Sequence, residues 1–178
     1  MPKTLGLTIL MLLASGCTQT TPLSTAEIFI DAFYSWDAER LARAINASPE
    51  ETAAVLYYQG WAEGGHYEVK KRRPCTVSNA NQIQCRITVT DDFGKAMGYT
   101  ATDTFTLTMN TNQITGVTFE GDDPPIFLEL QAWMMTNRPE IFSGPCKDLF
   151  AGGTTPAQCA RAVARAAQNF MRLRTAPD

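Results

Sequence analysis

Histidine is nearly absent from this chain, with one residue, His66, among 178. A single imidazole leaves a multi-histidine metal site without its ligands. Although Asp91 or Asp92 is placed to orient His66, no serine or cysteine stands out as the nucleophile of a triad. Positive charge is also short: 15 Lys and Arg against 18 Asp and Glu give a net charge of −3 and a pI near 5.2. That balance disfavours nucleic acid or an anionic membrane surface as the main partner, because phosphate binding needs a basic footprint. The one basic run, residues 70–73, splits between the two faces of an extended chain and reads as a solvated strand with cross-strand pairs. No apolar run is long enough to span a bilayer, and no repeat, heptad or low-complexity tract is present. The acidic corner at 120–123 lacks the spaced oxygen ligands of a calcium loop, and Asp123 reads as a helix cap. No metal and no cofactor is expected.

What is present begins at the N-terminus. Lys3 precedes an apolar stretch at 5–14, broken by Gly6 and Thr8, and small residues follow it, as in a secretory signal. Leu13-Ala14-Ser15-Gly16-Cys17 resembles a bacterial lipobox, in which the peptidase cuts before the cysteine and that cysteine carries the lipid. The resemblance implies a signal peptide over 1–16, lipidation of Cys17, a tether over 17–23 and a single domain over 24–178. With Thr18 rather than aspartate after the cysteine, it further implies the outer membrane, with the domain facing the periplasm. Removing Cys17 leaves Cys75, Cys85, Cys146 and Cys159, an even number in an oxidising compartment. Three connectivities exist. Local pairing, Cys75–Cys85 across a hairpin and Cys146–Cys159 at a helix start, is favoured, and each bridge contributes ~2–4 kcal/mol.

The central stretch is 99–109. Thr100, Thr102, Thr104, Thr106 and Thr108 alternate with Tyr99, Ala101, Asp103, Phe105, Leu107 and Met109. Period-two alternation predicts a strand, with threonine on its wetter face. Asp103 is the one acid on the apolar side. Before it, the residues predict a helix opened by a Ser24–Glu27 capping box, a second capped by Asp37 with Leu41 and Ile45 inward, and a third from Ser48-Pro49 to about Trp61. Strands follow at 67–76 and 83–89, and 91–94 reads as a turn into the threonine strand. A last strand at 114–119 completes four antiparallel strands. Asp123-Pro124-Pro125 opens a further helix, 138–154 reads as loop, and a final helix from Thr155-Pro156 turns Cys159, Val163, Ala166 and Phe170 inward. Its Arg161, Arg165 and Arg172 face outward.

This order, together with residues 33–42 (FYSWDAERLA), resembles the NTF2-like superfamily and its SnoaL-like branch over about residues 25–120. The resemblance implies an α+β cone of N-terminal helices over a curved antiparallel sheet, here followed by a disulfide-tied helical extension from about 124. It also implies a pocket between them, which some members use as isomerases, dehydratases or hydrolases and others use only to bind. Tyr57, Trp61, Tyr99, Asp103 and Phe105 are the expected ligand-binding residues. Asp103, Tyr57, Tyr58 and His66 are the candidates for chemistry. Each has a structural reading: Asp103 buried in an ion pair with Lys71 or Arg73, the aromatics as core, His66 solvated. No complete catalytic constellation is visible. The expected role is therefore binding of a small apolar ligand or an envelope protein, with a small isomerase or hydrolase using Asp103 and Tyr57 or Tyr58 as the alternative.

Overall fold

Three helices lead the chain in a computed structural model that describes residues 20–147 and 156–175. They are α1 (Pro22–Phe33), α2 (Ala38–Arg43) and α3 (Pro49–Gly64). The expected signal peptide at 1–16 and Cys17 lie outside the described residues. Helix α1 starts at Pro22, two residues before the expected domain boundary. Its cap is Thr21 rather than Ser24. Thr21 Oγ1 accepts the Ser24 N–H at 3.1 Å and Ser24 Oγ accepts the Thr21 N–H at 2.7 Å, so Ser24 is the third residue of the box. Glu27 is released from capping and turns to the sheet, pairing with Arg72 at 2.5 Å and accepting the Cys75 N–H at 2.6 Å. Asp37 caps α2 through the Arg40 N–H, and Ser48 and Glu51 form the expected reciprocal box on α3.

The sheet contains β1 (Glu68–Arg72), β2 (Thr76–Asn79), β3 (Gln82–Thr90), β4 (Ala101–Asn110) and β5 (Gln113–Gly121). It is antiparallel in the order β1-β3-β4-β5, and β2 pairs with the other end of β3. The single strand expected over 67–76 is thus two short strands. Pro74 has no N–H for a ladder and breaks them. Register shifts at Val69/Lys71, Val77/Asn79 and Thr108/Met109 bend the strands, as extra residues in a ladder do. The turn expected at 91–94 is instead helix α4 (Asp92–Met97), capped by Asp91 and closed by Gly98 at φ 78°, a left-handed conformation that glycine adopts without strain. So short a helix carries no readable periodicity. The threonine strand is as expected: Asp103, Phe105, Leu107 and Met109 are buried and the intervening threonines half-buried.

The chain then forms α5 (Pro125–Asn137), α6 (Glu140–Ser143) within the expected loop, and α7 (Pro156–Thr175). Cys159, Val163, Ala166 and Phe170 of α7 are buried, while Arg161, Arg165 and Arg172 are exposed. Both local disulfides form, Cys75–Cys85 and Cys146–Cys159. Helix α7 lies against α3 and α4. The approach is close enough that a Cβ on Gly64 would sit 2.3 Å from the Ala157 Cα, so α3 needs glycine there. The apolar residues form two clusters. One joins α1–α3 to the concave side of the sheet around Phe29, Phe33, Phe105 and Leu107. The other joins α4, α5, α6 and α7 around Trp61, Phe93, Leu130 and Phe170. The α+β architecture with a disulfide-tied helical extension is as the sequence predicts. The extension, however, carries a core of its own.

Candidate functional site

Where the two clusters meet, a cavity of about 200 Å³ remains open. Its deep end is formed by Phe33 at the C-terminus of α1, Trp61 and Ala62 on α3, and Asp103 on β4, all buried. Phe119 and Tyr58 form one wall, with ring centroids 4.8 Å apart. Phe93 and Phe127 form the other, 5.6 Å apart, and Phe93 also meets Trp61 at 6.4 Å. Tyr67 lines the cavity just ahead of β1. Gly121 and Asp123, on the exposed connection from β5 to α5, form the rim. The helical extension thus supplies part of a wall, through Phe127, rather than a mere tail.

The local sequence explains these positions. Helix α1 ends at Phe33, and the carbonyls of Ala32 and Phe33 are taken by the buried side-chain amide of Gln59, at 3.1 and 3.0 Å. That bond ties α1 to α3 and sets Tyr34 over β4. The Tyr34 hydroxyl donates to Asp103 Oδ2 at 2.7 Å. Asp103 itself points inward because strand alternation admits no other face.

Asp103 is 3% exposed and has no basic partner among the described residues. The expected ion pair with Lys71 or Arg73 does not form. Both of those residues are exposed, and the ion pair of this region is that of Arg72 with Glu27 and Asp31. Burial is the main reason that the Asp103 carboxyl is pushed up to about 7; Asp123 and Asp122 add to this, while the Tyr34 hydrogen bond opposes it. Burial, followed by Asp103 itself, pushes the Tyr34 hydroxyl far above the ordinary phenol value. Tyr67 behaves alike, with burial first and Asp103, Asp91 and Asp123 next, while a hydrogen bond with Trp61 pulls the other way.

A second acid stands just behind the cavity. Asp91 caps α4 through Oδ1, which accepts the Gly94 N–H at 2.7 Å. Its Oδ2 is buried without a partner among the described residues. Burial pushes this carboxyl up to about 8, against the Gly94 bond, with Asp123, Asp92 and Asp103 contributing. A void of about 10 Å³, room for one water, lies among Asp91, Tyr67, Tyr99 and Asp123 and shares Tyr67, Phe93, Ala101 and Asp123 with the main cavity. Tyr99 donates to Asp123 Oδ1 at 3.2 Å. Asp123 is therefore not the cap of α5, whose N-cap is Pro124 without a side-chain bond, and the expectation of a capping role is corrected. Burial raises the Asp123 carboxyl as well.

Of the residues expected to bind a ligand, Trp61 and Asp103 line the main cavity. Tyr57 and Phe105 are buried beside it, and Tyr99 lines the small void. Tyr58, expected as a donor, lines the cavity with its ring. His66 stands exposed outside, its Nδ1 2.6 Å from Asp92 Oδ2, as the solvated reading expects. Sequence reasoning missed Tyr34, Tyr67, Phe93, Phe119, Phe127, Asp91 and Asp123. Helix and strand periodicity marks each as core or loop, and only the meeting of distant elements gathers them. Among the described residues, no group of three His, Cys, Asp or Glu is disposed to hold a metal ion, and no helix is long and apolar enough to cross a membrane.

Comparison with known proteins adds a likeness in fold. No protein-family model and no curated protein matches the chain. A solved structure of an NTF2-like protein of unknown function from Cytophaga hutchinsonii is similar to it in fold, with 15% identity over 63% of this chain and 99% of that chain, and a TM-score of 0.43.

Proposed function

We propose that this chain is a lipid-anchored periplasmic protein whose α+β domain binds a small, largely apolar ligand in the aromatic cavity, without chemistry on it. The observation that supports this reading is the cavity itself: about 200 Å³, walled by Phe33, Tyr58, Trp61, Phe93, Phe119 and Phe127, with the Asp103–Tyr34 pair as its deep polar group. Apolar walls with a few converging polar groups are the general form of a small-molecule site. The anchoring half of the proposal rests on Leu13 to Cys17 and on a domain whose first helix opens at Pro22. A lipid on Cys17 would hold the cavity close to the membrane surface on the periplasmic side of the outer membrane.

The binding half is tested by titrating a panel of small apolar and aromatic compounds while following tryptophan fluorescence, since Trp61 lines the cavity. Saturable quenching that is lost in Phe119→Ala, with the fold retained by circular dichroism, supports the reading. A panel that leaves the fluorescence unmoved overturns it. The anchoring half is tested with Cys17→Ser in a Gram-negative host. Transfer of the protein from the membrane to the soluble periplasmic fraction is expected, and an unchanged distribution refutes lipidation.

A second reading, an isomerase or hydrolase, is favoured by one observation: a carboxyl pushed up to about 7 at the deep end of an apolar cavity is a poised general base. Against it, Tyr34 already donates to Asp103 Oδ2. Exchange of an acidic ligand proton in deuterium oxide that is abolished by Asp103→Asn would establish this reading over simple binding.

A further inference from the structure

We infer that the ligand of the cavity is a small organic cation, an alkylammonium carrying no phosphate. This rests on the reading that the cavity is a ligand site and specifies the chemistry of what fills it.

Three features converge. First, the lining is largely aromatic: Phe33, Tyr58, Trp61, Phe93, Phe119 and Phe127 surround the void. An aromatic cage attracts a cation through the negative faces of its rings, most strongly where water is excluded. Second, among the described residues the charged groups that line the cavity are acids, Asp103 at the deep end and Asp123 at the rim, with no lysine, arginine or histidine. A buried carboxylate without a cationic partner is costly, and a ligand cation is the partner that the protein omits. Third, Asp91 stands behind Tyr67 with a buried oxygen that has no partner among the described residues, a further acid on the same side whose ionised form a bound cation would favour. A neutral apolar ligand would bury these acids further without relieving them. A phosphate on the ligand would meet Asp123 at the rim, where like charge repels it.

The groups that face Asp103 come from every element around it: Tyr34 beyond α1, Tyr67 ahead of β1, Asp91 at the end of β3, and Asp122 and Asp123 after β5. Nearby Lys95 is engaged with Glu68 on the outside. A bound cation favours the ionised acid, whereas protons compete with it. Because Asp103 titrates near 7, affinity rises as pH rises through that value and falls below it.

The experiment compares choline with its uncharged carbon isostere 3,3-dimethylbutan-1-ol, and both with phosphocholine, by calorimetry on the purified full chain at pH 6 and pH 8. The expected result is choline bound at least tenfold more tightly than the isostere at pH 8, by a margin that narrows at pH 6, and phosphocholine bound more weakly than choline. Asp103→Asn removes most of the preference for choline over the isostere, and the melting temperature of the variant reports that it is folded. An isostere that binds as well as choline overturns the cation assignment and leaves the ligand-binding reading standing. Phosphocholine binding as tightly as choline refutes the exclusion of phosphate. If neither these three nor the apolar panel binds, both the cation assignment and the ligand-site reading fail.

Discussion

The buried Asp103 makes stability itself depend on pH in a direction opposite to that of most carboxylates. Its folded value is about 7, against an ordinary 3.8 for the unfolded chain. Between these values the native protein keeps a proton that the unfolded chain has lost, so stability falls as pH rises through that window. One proton corresponds to a slope of at most ~1.4 kcal/mol per pH unit, and the whole displacement amounts to roughly 4 kcal/mol at full ionisation. Asp103→Asn removes the titration but keeps a carbonyl oxygen to accept the Tyr34 O–H at the position where the carboxylate accepts it. Urea unfolding of both proteins from pH 4 to pH 8.5, with the disulfides intact, isolates the effect. Asp91 is present in both, and because the Asp103 charge helps to raise it, its share of the difference has the same sign as that of Asp103. The wild type should match or exceed the variant near pH 4 and fall behind it by about 2–4 kcal/mol at pH 8.5. A difference that is flat with pH, or one that grows in favour of the wild type, would refute the placement of Asp103 as a desolvated acid without a basic partner.

Other perturbations follow from the same packing. Tyr34→Phe deletes the hydrogen bond that favours the ionised Asp103, so the carboxyl should titrate higher still by carboxyl NMR, and an unmoved or lowered value would contradict the contact. Gln59→Leu removes the side-chain donor from the Phe33 carbonyl and one of several donors from that of Ala32, and should cost about 1–3 kcal/mol in chemical unfolding, whereas a neutral result would mean that α1 is held in another way. Gly64→Ala places a methyl group against the Ala157 backbone and should loosen α7 from α3, costing about 1–3 kcal/mol with faster amide exchange in α7. Unchanged exchange there would show that the two helices are not in close contact.

The elements with a long local signal were legible from the residues alone. Five alternating threonines specify β4 and put Asp103 on its inner face, because a pleated strand offers two faces and the apolar set claims one. Ser48-Pro49 with Glu51 specifies the start of α3, since its capping bonds lie within one turn. Cysteine parity and local spacing identified both bridges. Short or ambiguous signals misled. A capping box read at Ser24 starts at Thr21, a strand read through Pro74 is two, and a turn read at Asp91 is a helix. What surrounds Asp103 was settled only by tertiary structure. Strand parity put Lys71 and Arg73 on one face with Tyr67 and Val69 and so offered them to Asp103, yet Arg72 is drawn to Glu27 and Asp31 on α1, while Lys71 and Arg73 remain exposed. The tyrosine that meets Asp103 lies 69 positions away. The cavity likewise exists because the extension closes over the sheet, bringing Phe127 to Phe93 and Asp123 to Tyr99. Periodicity records which face each element buries, whereas a cavity is the volume left where several such faces fail to fill the space between them, and that depends on contacts distant in the chain.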